Sequence, residues 1–128
     1  MLIRFIVDEL DPDSGRRQGL FQAAGFLRRS GRLSAGDEDT LDALRIWFGA
    51  NLNVPNRFAL SGRPHAKAQA ISWFKDTASE HIARMRAYGN ILEGYGLTVR
   101  MIRTDRPGYV LYEDEHQVTA YPFSDTKA

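Results

Sequence analysis

The stretch LTVRMIRTDRPGYVLYEDEHQVTAY, Leu97 to Tyr121, decides the fold. Leu97, Val99 and Met101 alternate with Thr98, Arg100 and Ile102, the period of two expected of a strand with unlike faces. Pro107-Gly108 interrupts the pattern and YVLYE resumes it, which predicts two strands joined by a turn. A second turn centred on Asp114 and Glu115 would set Glu113 against His116, Leu111 against Val118 and Tyr109 against Ala120. Apolar residues then meet on one face and the acid meets the imidazole at the open end. Glu113, Asp114, Glu115 and His116 are also residue types that bind metals, but neighbours in a strand point to opposite faces. The expectation is a solvated hairpin tip closing an antiparallel meander, with no metal and no cofactor.

The preceding segments supply helices and two further strands. LIRFIVD places Ile3, Phe5 and Val7 on one face and Leu2, Arg4 and Ile6 on the other, a buried or half-buried strand. RRQGLFQAAGFLRR, from Arg16 to Arg29, aligns Leu20, Ala24 and Leu27 at helical spacing, with Phe21 beside them. Ser34 is a natural cap for a second helix, in which Asp37, Glu38 and Asp39 suit the positive end of the dipole and Leu41, Leu44, Phe48 and Leu52 form the inner stripe. ISWFK reads as a strand. Thr77 to Glu80 has the capping-box pattern of a third helix, whose inner stripe is Ala78, Ile82, Met85, Gly89 and Leu92. The predicted order is βααβαβββ, a single α+β domain over residues 1–128 with helices packed on the sheet.

Composition narrows the function classes. The chain has 128 residues, 43% hydrophobic and 26% charged, which is the balance of one globular domain. It has no cysteine, so disulfides and thiolate metal sites are excluded and a reducing compartment is expected. The N-terminus turns acidic by Asp8, too early for the apolar core of a signal peptide, and no run approaches a membrane span. A cytoplasmic protein without membrane contact follows as the expectation. Net charge is +1, so any nucleic-acid contact would need a local basic patch.

Two groups of side chains are candidates for a site. Asp8 ends the first strand and Lys75 ends ISWFK; in a parallel arrangement both would reach one sheet edge, where open sheets bind ligands. His65 lies between Arg63 and Lys67 in the Pro-rich stretch from Asn53 to Gln69, a loop long enough to be functional. Asp8, Lys75 and His65 are the residues for a hydrolase or nuclease acting on nucleic acid or a phosphate ester, with Arg63 and Lys67 as phosphate contacts. The second group is the outer face of the meander, with Arg100, Tyr112, Gln117 and Tyr121. Tyr and Arg are enriched at interface centres and on stacking platforms, so this face fits a second copy of the chain, another protein or a nucleic-acid strand. His81, beside the inner stripe of the third helix, reads as solvated, and Trp47-Phe48 and Trp73-Phe74 as core anchors. Walker, dinucleotide-binding, nucleophile-elbow and zinc-helix motifs are absent.

ISWFK, the helix after it, RPGYVLYEDEHQV and AYPF resemble a group of small bacterial proteins that pair a Trp-Phe-Lys strand with a Pro-Gly-x-Val-x-Tyr-Glu-Asp hairpin. The resemblance covers the second half of the chain and the first half loosely; it implies a bacterial cytoplasmic protein and no activity. The opening strand, Asp8 and Arg16-Arg17 also resemble the start of the small ferredoxin-like nucleases associated with CRISPR arrays. The sequence departs from them at Gly36 to Leu52, where an acidic-capped helix occupies the place of their second strand. A binding or interaction module, possible as a homodimer, is the leading expectation.

Overall fold

A computed structural model of the chain describes residues 1–11, 15–55, 69–126 and 128. Its elements are β1 (Leu2–Leu10), β2 (Arg17–Gly19), α1 (Leu20–Arg29), α2 (Ala35–Asn51), β3 (Ile71–Lys75), α3 (Ser79–Glu93), β4 (Val99–Thr104), β5 (Tyr109–Glu113) and β6 (Gln117–Tyr121). The predicted class and order are observed, with one short strand added. All pairings in the 6-stranded sheet are antiparallel.

β1 is central because it is apolar on both faces. One edge pairs with β4 from Leu2↔Thr104 to Val7↔Val99. The other edge is shared: β3 takes its start through Leu2↔Lys75 and Ile3↔Phe74, and β2 takes its end through Ile6↔Gly19 and Leu10↔Arg17. β6 continues the sheet beyond β3, and β5 closes it.

The helices cover the face that carries Ile3, Phe5, Val7 and Phe74. α1 contributes Leu20, Ala24 and Leu27, α2 contributes Leu41 and Phe48, and α3 contributes Ile82, Met85, Tyr88 and Leu92. Phe21 meets Phe48 and Tyr88 edge-on at 5.0 and 5.3 Å, the arrangement that aromatic quadrupoles favour. Ile6, Ile71, Trp73, Val118 and Ala120 are buried as well, and the strand registers put them on the opposite face. Ser34 caps α2 as predicted, accepting from the Asp37 amide. Among the described residues no helix is long and apolar enough to cross a membrane.

Four local expectations are corrected. Arg17–Gly19 is a strand, because the edge of β1 beyond Ile6 needs a ladder partner and Gly19 is a poor helix residue. β4 does not join the hairpin; it lies against β1, where Val99 and Met101 meet Val7 and Phe5 on the core face. The hairpin register differs too. Glu113 pairs with Val118 and Tyr109 with Tyr121, and a bulge falls between Val110 and Tyr112. Its loop is longer than two residues because the Asp114 carboxylate accepts from the amides of His116 and Gln117 and holds the turn. The Thr77 to Glu80 capping box does not form, since α3 begins at Ser79 with Ala78 at the cap position.

Candidate ligand-binding site

The sharing of one β1 edge by two strands leaves an opening. β3 departs after the Ile3–Phe74 pair and β2 arrives at Ile6, so Arg4 and Phe5 have no ladder partner on that side. A cavity of about 300 Å³ occupies the gap. Its walls are the start of α1 with Leu20 and Phe21, the β3 residues Ile71 to Phe74, Met85 of α3, and Gln117. Most of this lining is apolar, and Arg4 supplies its charge.

Arg4 is poorly satisfied. Its Nη2 donates to the Arg17 carbonyl oxygen at a long 3.4 Å, and its Nη1 is enclosed without a hydrogen-bond partner. Among the described residues no carboxylate pairs with it. Burial, and then the like charge of Arg16, bring its pKa down from 12.5 to about 10. Trp73, 0% exposed, lies on the same wall and leaves its indole Nε1–H unpartnered. α1 opens beside the cavity at Gly19 with neither a side-chain cap nor an acid in its first turn. Buried donors without acceptors are costly, and Arg4 Nη1 and Trp73 Nε1 are two of them, on residues that both line the cavity.

The residues expected to form a catalytic edge are not brought together. β1 and β3 are antiparallel, so Lys75 stands opposite Leu2, at the far end of the strand from Asp8. Six residues of strand separate them, about 20 Å. Asp8 instead receives two hydrogen bonds from Arg100, at 2.6 and 3.2 Å, which hold its carboxyl below the ordinary value. Lys75 pairs with Glu113 at 2.7 Å. His65, Arg63 and Lys67 lie outside the described residues.

The expected outer face is not a single surface. Arg100 is on β4 at one side of the sheet, while Tyr112 and Tyr121 are on β5 and β6 at the other. The registers also put Arg100 on the face opposite to Gln117 and Tyr121, because β4 left the meander. Gln117 is buried and donates to the Asn53 carbonyl oxygen at 2.6 Å and to Asp114 at 3.1 Å. Tyr112 donates to Asp114 at 2.7 Å, which raises the phenol pKa. Tyr121 lines a wide, open depression with Arg16 and Arg106 near the C-terminal segment. Both arginines are engaged there, Arg16 with the Gln69 carbonyl oxygen and Arg106 with Asp125 and the Phe123 ring.

His81 is buried, contrary to expectation, because the end of α2 covers it: its Nε2 is 2.8 Å from the Asn51 carbonyl oxygen. Its ring lies 4.3 Å from that of His116 and 4.8 Å from Trp47. The carboxylates of the hairpin tip diverge, Glu113 toward Lys75 and Asp114 into its own loop. Among the described residues no three His, Asp or Glu side chains are grouped so as to hold a metal ion.

Sequence reasoning passed over Arg4 as one polar residue on a half-buried strand. The available signal was a lone charge inside LIRFIV, since arginine is seldom enclosed without a partner. No protein-family model, curated protein or solved structure matches the chain.

Proposed function

We propose that this protein is a non-enzymatic binding module whose ligand enters the opening between β2 and β3. The observation that carries the reading is the mostly apolar cavity of about 300 Å³ at the gap in the β1 edge, with Arg4 the one charged side chain among the described residues that line it. An apolar cavity with few polar groups is the usual form of a small-molecule site, and this volume is at the small end of the range. The rival reading, a hydrolase using Asp8 and Lys75, requires both on one edge, whereas each is tied to a different partner at opposite ends of β1.

Thermal denaturation against a broad panel of small organic anions, cations and neutral compounds tests the reading. The expected result is a rise in melting temperature with a minority of compounds, lost when Ser72→Trp obstructs the cavity. A flat response to the whole panel, or a rise that Ser72→Trp leaves intact while the fold is retained, overturns it.

A further inference from the structure

A wide depression lies between the β4–β5 turn and the segment after β6. Its volume of about 820 Å³ is within the ~300 to 1,000 Å³ usual for ligand pockets, and it shares no described lining residue with the opening between β2 and β3. Neighbouring strands supply its floor. Tyr109 of β5 and Tyr121 of β6 are register partners, so their side chains leave one face of the sheet next to each other, and Tyr109 is 45% exposed. The Phe123 ring stands 4.8 Å from that of Tyr109 at 75°, a wall upright beside the floor. A closed turn holds this wall: the Phe123 amide donates to Thr126 Oγ1 at 3.0 Å and the Thr126 amide to the Phe123 carbonyl oxygen at 3.1 Å. Arg16 and Arg106 reach the same space from distant parts of the chain. Arg106 lies 5.2 Å over the Phe123 ring and 3.8 Å from Asp125, in an ion pair whose side chains are 72% and 70% exposed. Water screens so open a pair, and a phosphate can replace Asp125 at little cost.

Exposed tyrosine and guanidinium groups in one depression suit a ligand with a flat ring at one end and an anion at the other. Every nucleobase has a π-face that stacks on tyrosine, and arginine forks fit phosphate oxygens. Two guanidiniums favour a phosphate over a carboxylate, since a phosphate has oxygens for both. We infer that this depression takes a nucleoside phosphate, its base on Tyr109 and Tyr121 against Phe123 and its phosphate at Arg16 and Arg106. The site is additional to the opening between β2 and β3 and stands independently of it. A free nucleotide and one unit of a single strand offer the same chemistry, and the depression is open enough for either.

The experiment uses fluorescein-labelled oligothymidylate, AMP, adenosine and inorganic phosphate, with binding at low salt read by anisotropy for the strand and by calorimetry for the small probes. The strand or AMP is expected to bind, and adenosine and phosphate each to bind at least about tenfold more weakly than AMP, because each supplies half of the contacts. Tyr109→Ala is expected to weaken binding about fivefold or more, as loss of a stacked base implies, and Tyr109→Phe to retain it. Arg106→Gln should weaken binding and lower the slope of log Kd against log salt for the strand by about 0.7, the share of one phosphate contact. The Arg106 side chain is 72% exposed, so this variant keeps its fold even if Tyr109→Ala does not. AMP binding as tightly as the strand assigns the site to free nucleotides, and tighter binding of the strand assigns it to single-stranded nucleic acid; both support the inference. Failure of both to bind overturns it, as does an affinity that Tyr109→Ala and Arg106→Gln leave unchanged. Phosphate binding as tightly as AMP would show an anion site without base stacking, and loss of binding in folded Ser72→Trp would move the ligand to the other cavity; either result overturns it.

Discussion

Lys75 Nζ stands 2.7 Å from Glu113 Oε2, an ion pair that ties β3 to β5 past the end of β6. Glu113 is half exposed there, and such pairs contribute about 0 to 1 kcal/mol. Asp114, the next residue, accepts hydrogen bonds from Tyr112 Oη, the His116 and Gln117 amides and Gln117 Nε2. Glu113→Gln is therefore expected to shift the urea midpoint little, and Asp114→Ala to cost about 1 to 3 kcal/mol by leaving several donors unmatched. A larger loss for Glu113→Gln than for Asp114→Ala would show that the ion pair, rather than the loop carboxylate, holds the hairpin.

The same carboxylate predicts a pH dependence. Burial alone would push the Asp114 carboxyl up, but the hydrogen bonds, that from Tyr112 first, outweigh it and hold the pKa below its ordinary 3.8. The unfolded chain then takes up the proton at a higher pH than the folded one, so stability is fully present above about pH 5 and falls as the pH drops through the folded pKa. Asp8, lowered by its hydrogen bond from Arg100, acts in the same direction. Urea midpoints between pH 7 and pH 3 should decline in the wild type and decline less steeply in Asp114→Asn. An identical slope in the two proteins removes Asp114 as a source of acid sensitivity.

The β4–β5 connection depends on Gly108. Its φ of 130° is one that L side chains rarely adopt, and an added Cβ would meet the Tyr121 carbonyl oxygen and Pro122 Cα, backbone atoms that cannot turn away. Gly108→Ala is expected to cost at least about 2 kcal/mol. A midpoint within error of the wild type would mean that this turn relaxes without affecting β5 and β6.

These positions show where the sequence was informative. The two faces of β1 and the inner stripe of α2 were legible because burial writes a period of two or of about 3.6 directly into the residue order. The partner of β4 was not, since alternation specifies a strand's faces and leaves open which edge it will join; the free edge of β1, over 90 residues away in the chain for Val7 and Val99, accepts it. The hairpin register escaped because the bulge between Val110 and Tyr112 changes the phase within β5, and the Asp114 cap lengthens the loop without altering the apolar pattern. Arg4 was visible as a charge in an apolar strand, but its place at a gap in the ladder follows from β2 and β3 dividing one edge, a feature of long-range pairing.

Phe48 tests the helix-covered core. It is 5% exposed, with its ring near Phe21, Trp47 and Phe74, so truncation leaves a cavity lined by rings that cannot easily close on it. Phe48→Ala is expected to cost about 3 to 5 kcal/mol, a large part of the stability of a domain this size. An unchanged midpoint in chemical denaturation would show that α2 contributes a different face to the sheet.

Arg4 should behave in the opposite way. Its half-buried guanidinium has no carboxylate partner among the described residues and lies beside the like charge of Arg16, so partial desolvation weakens the folded state that holds it. Met has a comparable apolar stem and no charge, and lining residues such as Phe5 and Ile71 can pack against it. Arg4→Met is therefore expected to raise the denaturation midpoint, by up to about 1 kcal/mol, because removing a partly desolvated charge without a carboxylate partner is favourable where its loss creates no new buried unsatisfied group. Parallel urea titrations of the wild type and Arg4→Met at pH 7 and low salt measure the difference. A lower midpoint for Arg4→Met would show that the bond to the Arg17 carbonyl oxygen and the packing of the Arg4 stem outweigh its charge.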